Sequence, residues 1–307
     1  MSPLLAILMS LAPPAAAAPV PGPGCTIAAT KPAPLFVGVT SQSVTVTCPS
    51  TGGSSKTAAY VVRVDLAAPG LSFETSGGAK DGLEPELPTA FLLRTGSQVA
   101  FNANLFTLCC SYAPPVPAET DLCGLEISGG AILSAWNNAP PPCHGYPFPS
   151  SLAVIKGKPA IVAAKAVPAG ASVAVTGSHD LVVAGVNVAP PAKKGDEFFG
   201  PNARTVVGLS SGNGTLWVAA VSRETSSGLT LPQAAQMLML LGAANAINLD
   251  GGGSTSLAVD AGGGKARLLN VPSHSVTPCS FSSGGGCERY VGASFGIHAQ
   301  PLSRVRR

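Results

Sequence analysis

The chain has 307 residues, 46% of them apolar and only 11% charged, with a formal net charge of +3. A chain of that length buries a sizeable core without metals or staples, and so low a charge content excludes a disordered chain or a nucleic-acid coat. Several basic residues fall in the tail, at Arg304, Arg306 and Arg307, and no basic patch for DNA or RNA stands out.

In chain order, MSPLLAILMSLAPPAAAAPVPG comes first and runs from an apolar stretch into small residues. That is the pattern of the hydrophobic region and cleavage zone of a secretory signal, so a signal peptide is expected over 1–18 and a secreted or periplasmic location with it. Leu4 to Leu11 is too short to cross a bilayer, and no stable membrane span is expected. Residues 19–57, rich in Pro, Ser and Thr, read as an N-terminal extension with one strand at Ser43 to Cys48. The main domain is expected over 58–303, followed by a basic tail at 304–307.

Cys25, Cys48, Cys109, Cys110, Cys123, Cys143, Cys279 and Cys287 are even in number and lie in Pro-, Gly- and Ser-rich surroundings, which predicts disulfides in an oxidising compartment. The local pairings are Cys25 with Cys48, Cys109 or Cys110 with Cys123 or Cys143, and Cys279 with Cys287, among about 105 arrangements open to eight cysteines. A zinc site is disfavoured, because no CxxC spacing occurs and His144, His179, His274 and His298 are scattered.

Ala59 to Leu66 alternates and is β-branched, which predicts a strand, and a turn and a second strand at Leu71 to Glu74 follow. In QVAFNANLF, Val99, Phe101 and Ala103 share one face and Asn102 and Asn104 the other. Further strands are expected at Leu125 to Leu133, Leu152 to Ile155, Ala160 to Ala163 and Val173 to Gly185. Arg204 to Leu209 and Thr215 to Val221 are expected to pair across Ser211–Gly214. One helix is predicted, with Thr230 as N-cap, Gln233 completing a capping box, Gly242 closing the end, and Ala234, Met237, Leu238 and Leu241 on its apolar face. Packing at helical spacing accounts for Met237 better than a soft ligand site. Many strands with few helices predict an α+β fold, strand-rich with mixed sheets and few helices, in a single catalytic domain.

The segment AINLDGGGSTSL carries the candidate chemistry. Ile247 and Leu249 face the core, which sends Asn248 and Asp250 to the other side. Gly251, Gly252 and Gly253 let the backbone come close to a ligand, and their N–H groups, with the Ser254 and Thr255 hydroxyls, are suited to phosphate oxygens. Taken alone, DGGGS also fits a hairpin turn capped by its Asp. A P-loop is excluded because no Lys follows the glycines, a serine-hydrolase elbow because the final Gly of GxSxG is absent, and an EF-hand for want of further acidic positions.

The stretch TLPQAAQMLMLLGAANAINLDGGGSTSL resembles the phosphodiester glycosidase family, whose members show a helix, a short strand and then NLDGGGS followed by Ser or Thr. The resemblance continues in order through YVVRVDLAAPG, QVAFNANLF, GLEISGGAIL, ARTVVGLSSGNGTLWVAAV, LLNVPS and ERYVGASFGIHAQPL, and spans roughly Ala58 to Leu302. This chain departs from the family at Leu105 and Phe106, where two aromatics are usual, at Ala293, where an Asn is usual, and at Ser222, where an Asp is usual.

The resemblance implies an exported hydrolase that cleaves a sugar-1-phosphodiester at the anomeric carbon. Its partner is then a phosphate-linked glycan or a small glycosyl phosphodiester, with no nucleic acid, no cofactor and no metal demanded by the scheme. A phosphate ester is a good leaving group, so one carboxylate with cations can suffice where ordinary glycosidases use two carboxyl groups. Asp250 is the expected essential carboxylate. Arg204, followed by Thr205 in the Arg-Thr motif, is the expected bidentate phosphate partner, and Arg289 is a second candidate clamp. Asn102, Asn104, Asn248 and Asn270 suit sugar hydroxyls, although a turn or cap role fits each of them as well. Glu126 and Glu288 are weaker candidates for proton transfer. Two alternatives stay open, a non-catalytic carbohydrate-binding or envelope polysaccharide-modifying protein and a phosphodiesterase cutting at phosphorus.

Overall fold

Three antiparallel sheets close around one shared apolar core. The computed structural model describes residues 23–302, apart from 77–83, 109, 118–119, 142, 164–166, 194–195, 197 and 224–226. The leader expected over 1–18 and the tail at 304–307 lie outside the described residues.

The largest sheet has nine strands. Its path runs Thr26–Ala29, Val39–Ser50, Gly53–Asp65, Thr215–Val221, Arg204–Leu209, Asn245–Asn248, His179–Val183 and Val186–Asn187, and Ala33–Phe36 pairs with Val39–Ser50 off this path. The expected hairpin forms in register, with Arg204 opposite Val221 and Leu209 opposite Leu216. Residues 23–57 are woven into the same sheet: Val39–Ser50 pairs along its whole length with Gly53–Asp65, and Cys25–Cys48 staples the edge strand to it. A second sheet contains Lys158–Ala163, Ser150–Ile155, Ala171–Thr176, Glu126–Ser128 and Ala131–Ser134. A third contains Lys265–Leu268, Leu257–Gly262, Val99–Asn102, Ser294–His298 and Ser72–Thr75.

All three sheets send side chains into the common core, among them Val207, Val218 and Ile247 from the first, Leu152 and Val175 from the second, and Phe101 and Phe295 from the third. The last two rings stack with centroids 5.3 Å apart. Burying each such ring is worth about 1.5–3 kcal/mol relative to leaving it in water.

The helix Leu231–Leu241 covers the opposite face of the large sheet, packing Ala234, Met237 and Leu238 against Val61, Val206 and Ala219. Its capping box is formed as expected. Thr230 accepts from the Gln233 N–H, Gln233 accepts from the Thr230 N–H, and Gly242 closes the end with φ of 105°. A second helix, Pro88–Thr95, was not expected from the sequence. Leu87 at its N-cap has no hydrogen-bonding side chain, and the buried Glu288 carboxylate substitutes, accepting from the Thr89 N–H at 3.2 Å and from its hydroxyl at 2.5 Å.

Cys279–Cys287 also forms as expected. Cys123, however, pairs with Cys143, which corrects the expectation that these two bond to Cys109 or Cys110. The expectation missed that the 123–143 excursion folds back on itself. Cys110 is disulfide-bonded too, and Cys109 lies outside the described residues.

Candidate active site

Asp250 sits where the chain crosses between sheets. It leaves the nine-stranded sheet at Asn248 and enters a five-stranded sheet at Leu257. The main chain there is held from three directions: the Asp250 N–H donates to the Ala103 carbonyl at 2.9 Å, its carbonyl accepts from the Asn102 amide at 2.7 Å, and Oδ1 accepts from the Gly251 N–H at 2.8 Å. The side chain is partly open to solvent yet deeply walled. Burial pushes its carboxyl up from the usual carboxylate range, opposed by the Ser254 hydroxyl, the Arg289 charge and the Gly251 N–H.

The glycines act differently from the expectation. Four N–H groups of the loop are committed internally: Gly251 to the Asp250 carboxylate, Gly252 to the Ala203 carbonyl, Ser254 to the Gly251 carbonyl and Thr255 to the Gly252 carbonyl. Those four groups hold a tight turn and are not free for an anion. Gly252 is needed for its φ of 59°, and Gly253 because Arg289 and His274 press on its Cα, leaving no room for a Cβ.

Arg289 forms a cationic wall beside Asp250. Its Nη1 donates to Ser254 Oγ at 3.2 Å, and its Nε and Nη2 donate to the Tyr112 hydroxyl at 3.3 and 2.8 Å. Its guanidinium carbon also lies 5.3 Å from the centroid of that ring. Ser273 donates to the Gly252 carbonyl at 3.2 Å, and the Cys279–Cys287 bridge closes the loop just before Glu288 and Arg289.

Arg204 lies on the strand next to Asp250. The pairing of Val206 with Asn248, carried two residues further, sets Arg204 across from Asp250. Its guanidinium is already engaged: Nε donates to the Leu229 carbonyl at 3.1 Å, and Nη2 donates to the carbonyls of Phe198 and Gly200, both at 2.6 Å. Each edge that could grip a phosphate bidentately includes Nη2, so the expected bidentate contact does not fit this arrangement, and Nη1 alone is left for it. Burial lowers the guanidinium to about 10, offset by Asp196 and Tyr146.

Arg204 instead anchors an aromatic wall. Tyr146 and Phe198 lie 4.3 Å apart between centroids, Phe198 meets Phe199 at 5.2 Å, and His179 touches Phe198 and Phe199 at 5.5 and 5.4 Å. Asp196 Oδ1 pins the wall from below, accepting from the N–H groups of Phe198 and Phe199. Burial, with Arg204 and Lys193 nearby, lowers His179 to about 4, so its imidazole is neutral at ordinary pH. Burial, then Asp196 and Asp250, raise the Tyr146 hydroxyl, which keeps it protonated.

The asparagines mostly hold backbone. Asn102 bridges the sheets, its Oδ1 accepting from the Thr205 hydroxyl at 2.6 Å and from the Ser256 N–H at 3.0 Å. Asn104 is fully buried, donating to the carbonyls of Cys123 and Leu125 and accepting from the Thr176 N–H. Asn270 accepts from the Leu257 N–H and donates to the Thr255 carbonyl. Asn248 donates to Ser178 Oγ and to the Leu249 carbonyl, while its Oδ1 and the Thr255 hydroxyl are buried without a partner. Glu126 points into the common core, and neither of its oxygens meets hydrogen-bond geometry, because the neighbouring Thr75 hydroxyl turns to the Ile127 carbonyl. Burial accordingly raises its carboxyl well above the usual range.

Asp250, Asn102, Thr205, Arg204, Ser254 and Arg289 thus converge, whereas Asn104 and Asn270 brace the loops behind. Sequence reasoning missed Tyr112, Tyr146, His179 and Phe198. The only local signal for Tyr146 and Phe198 is the aromatic character of their loops, at HGYPF and EFFG, while Tyr112 in SYAPP and His179 at the start of a strand carry none.

The phosphodiester glycosidase family model matches residues 143–298, just over half of the chain. No curated protein matches it. Among solved structures, the chain is similar to the zebrafish N-acetylglucosamine-1-phosphodiester alpha-N-acetylglucosaminidase catalytic domain auto-inhibited by its pro-peptide, at 19% identity over 90% of this chain and 88% of that one, with a TM-score of 0.64. It is also similar to a Burkholderia pseudomallei protein, at 13% identity over 95% of this chain and 100% of that one, with a TM-score of 0.60. Identities of this size indicate a shared fold.

Proposed function

Because the chain belongs to the phosphodiester glycosidase family, we propose that it hydrolyses a sugar-1-phosphodiester at the anomeric carbon, with Asp250 as the essential carboxylate. The observation that carries this reading is Asp250 itself, a partly open carboxylate held by the Gly251 N–H beside the Arg289 guanidinium. In the reaction the bond from C1 to the phosphate oxygen breaks, and its electron pair leaves with the phosphate. Either the Asp250 carboxylate forms the new bond to C1 and water later replaces it, or Asp250 takes a proton from the water that attacks C1. The departing phosphate needs no proton, and Arg289 neutralises its charge. Arg289, whose charge acts on the Asp250 carboxylate and whose own partners are the exchangeable hydroxyls of Tyr112 and Ser254, is the cation assigned to that phosphate, while Arg204 is held by main-chain carbonyls.

Export belongs to the same reading. Cys25–Cys48, Cys123–Cys143 and Cys279–Cys287 suit an oxidising compartment, and no helix among the described residues is long and apolar enough to cross a membrane. The zebrafish relative's name makes an N-acetylglucosamine-1-phosphodiester the first substrate to try. Asp250→Asn, shown to be folded by its melting curve, should lose sugar release from that substrate by about a thousandfold or more. Retained turnover removes Asp250 from the chemistry. In labelled water the heavy oxygen should appear in the sugar, and its appearance in the phosphate would mean cleavage at phosphorus.

A further inference from the structure

The side chains around Asp250 divide into two unlike walls. On one side are Arg289, Tyr112 and Ser254, a charged and hydrogen-bonding surface. On the other are Tyr146, Phe198 and Phe199, with Phe198 in contact with both of the other rings and each residue partly open to solvent, backed by His179. Apolar ring surface left open inside a cleft invites a ligand with an apolar face of its own.

We propose that this aromatic wall is the sugar subsite, so that the substrate lies across Asp250 with one C–H face of its pyranose on Tyr146 and Phe198 and its phosphate turned to Arg289. The assignment rests on the hydrolase reading for the position of the scissile bond, but the subsite is defined by its own geometry.

Three observations carry it. Arg204, set across the strand pair from Asp250, donates to the Phe198 carbonyl and lies 5.7 Å from the centroid of that ring, which in turn meets Tyr146, so the aromatic wall is tied to the strand beside the carboxylate. The wall is rigid before any ligand arrives, because Arg204 grips the carbonyls of Phe198 and Gly200 while Asp196 grips the N–H groups of Phe198 and Phe199. A preformed platform binds a ring without first having to order itself. Finally, Tyr146 and Phe198 carry no charge and the adjoining imidazole is neutral at ordinary pH, whereas Lys193 lies out at the far edge, 4.3 Å over Phe199. A pyranose presents C–H groups on its faces and hydroxyls on its rim, which matches rings flanked by a phenol and a neutral imidazole. A phosphate finds its counter-charge on the other wall.

The test is binding by the intact folded chain, without turnover, using N-acetylglucosamine, glucose and inorganic phosphate as separate probes followed by saturation-transfer NMR. Tyr146→Ala and Phe198→Ala should each weaken monosaccharide binding by about tenfold and leave phosphate binding within about twofold, whereas Arg289→Ala should do the reverse. Tyr146→Phe keeps the ring and should keep monosaccharide affinity within about threefold. The proposal is overturned if neither monosaccharide binds the wild type, if Tyr146→Phe loses as much as Tyr146→Ala, or if the wall variants lose phosphate instead of sugar. Because no bond is cleaved in these measurements, a failure of Asp250 as the reacting carboxylate leaves them readable.

Discussion

Gly253→Ala tests how closely the glycine turn sets the cationic wall. A Cβ at this position would lie 2.1 Å from Arg289 Nη2, 2.5 Å from its Cζ and 2.6 Å from His274 Nδ1. Ordinary contact begins near 3.4 Å, so the guanidinium must retreat by about 1.3 Å. The backbone of Gly253 is not in the left-handed region, and the atoms in the way belong to the side chains of Arg289 and His274 and not to the backbone, so both side chains must turn aside while the fold should absorb the change. Alanine even trims the freedom of the unfolded chain, by about 0.4–1 kcal/mol. The cost falls on the site, since a displacement of about 1 Å in a substrate-holding group can lower the rate about a hundredfold. The assay is kcat/KM on a sugar-1-phosphodiester and, in parallel, on an uncharged aryl glycoside, with a thermal melt on the same sample. The expected result is a loss of about a hundredfold on the phosphodiester, a smaller one on the aryl glycoside, and a Tm within about 4 °C of the wild type. Activity within about threefold of the wild type on the phosphodiester would refute the coupling between Gly253 and Arg289.

Two predictions concern pH. Asp250 must be ionised either to attack C1 or to accept a proton, and burial raises its carboxyl, so the acid limb of kcat/KM should lie above about pH 4, the ordinary carboxylate value. Arg289→Gln removes a charge that favours the ionised form and should move that limb higher still, and a limb at or below about pH 4 in the wild type would contradict the assignment. Glu288 is pushed up to about 7 by burial, with the Thr89 hydroxyl and N–H opposing. With its folded value above its unfolded one, the folded state holds the proton more tightly, so stability is highest below the unfolded value, declines as pH rises toward about 7 and levels off beyond. That span corresponds to a few kcal/mol, about 3 by linkage. Urea melts between pH 4.5 and 8 should show the decline, and Glu288→Gln should flatten it. Glu126, raised in the same direction, adds to the slope, so the double variant with Glu126→Gln should be flatter than either single one.

Much of the framework was legible because its signals are local. The helix Leu231–Leu241 carries its own cap and stop, and the 204–221 hairpin carries alternation and a turn. The helix Pro88–Thr95 was not legible, because its N-terminal partner is Glu288, 199 residues away in sequence. The residues before Ala58 look like an extension by composition, yet they pair edge to edge with Gly53–Asp65, and composition does not encode a partner strand. At the candidate site, the place of Asp250 between a strand end and a glycine turn was legible from the sequence pattern. The engagement of Arg204 was not, since it depends on where the loop carrying Phe198 and Gly200 returns. The amides of Asn104 and Asn270 show the same limit: a side chain able to bind sugar is equally able to bind a carbonyl, and only the folded neighbourhood selects between them.

Asn102 gives the arrangement a mechanical meaning. One amide fastens a strand of the five-stranded sheet to Thr205 in the nine-stranded sheet and to the main chain of Asp250 between them. The carboxylate is therefore mounted on the seam, and any sliding of one sheet over the other is transmitted to it directly. A core substitution far from the cleft, such as one between Phe101 and Phe295, would act as a misalignment of the seam and would blunt turnover well before it unfolded the chain.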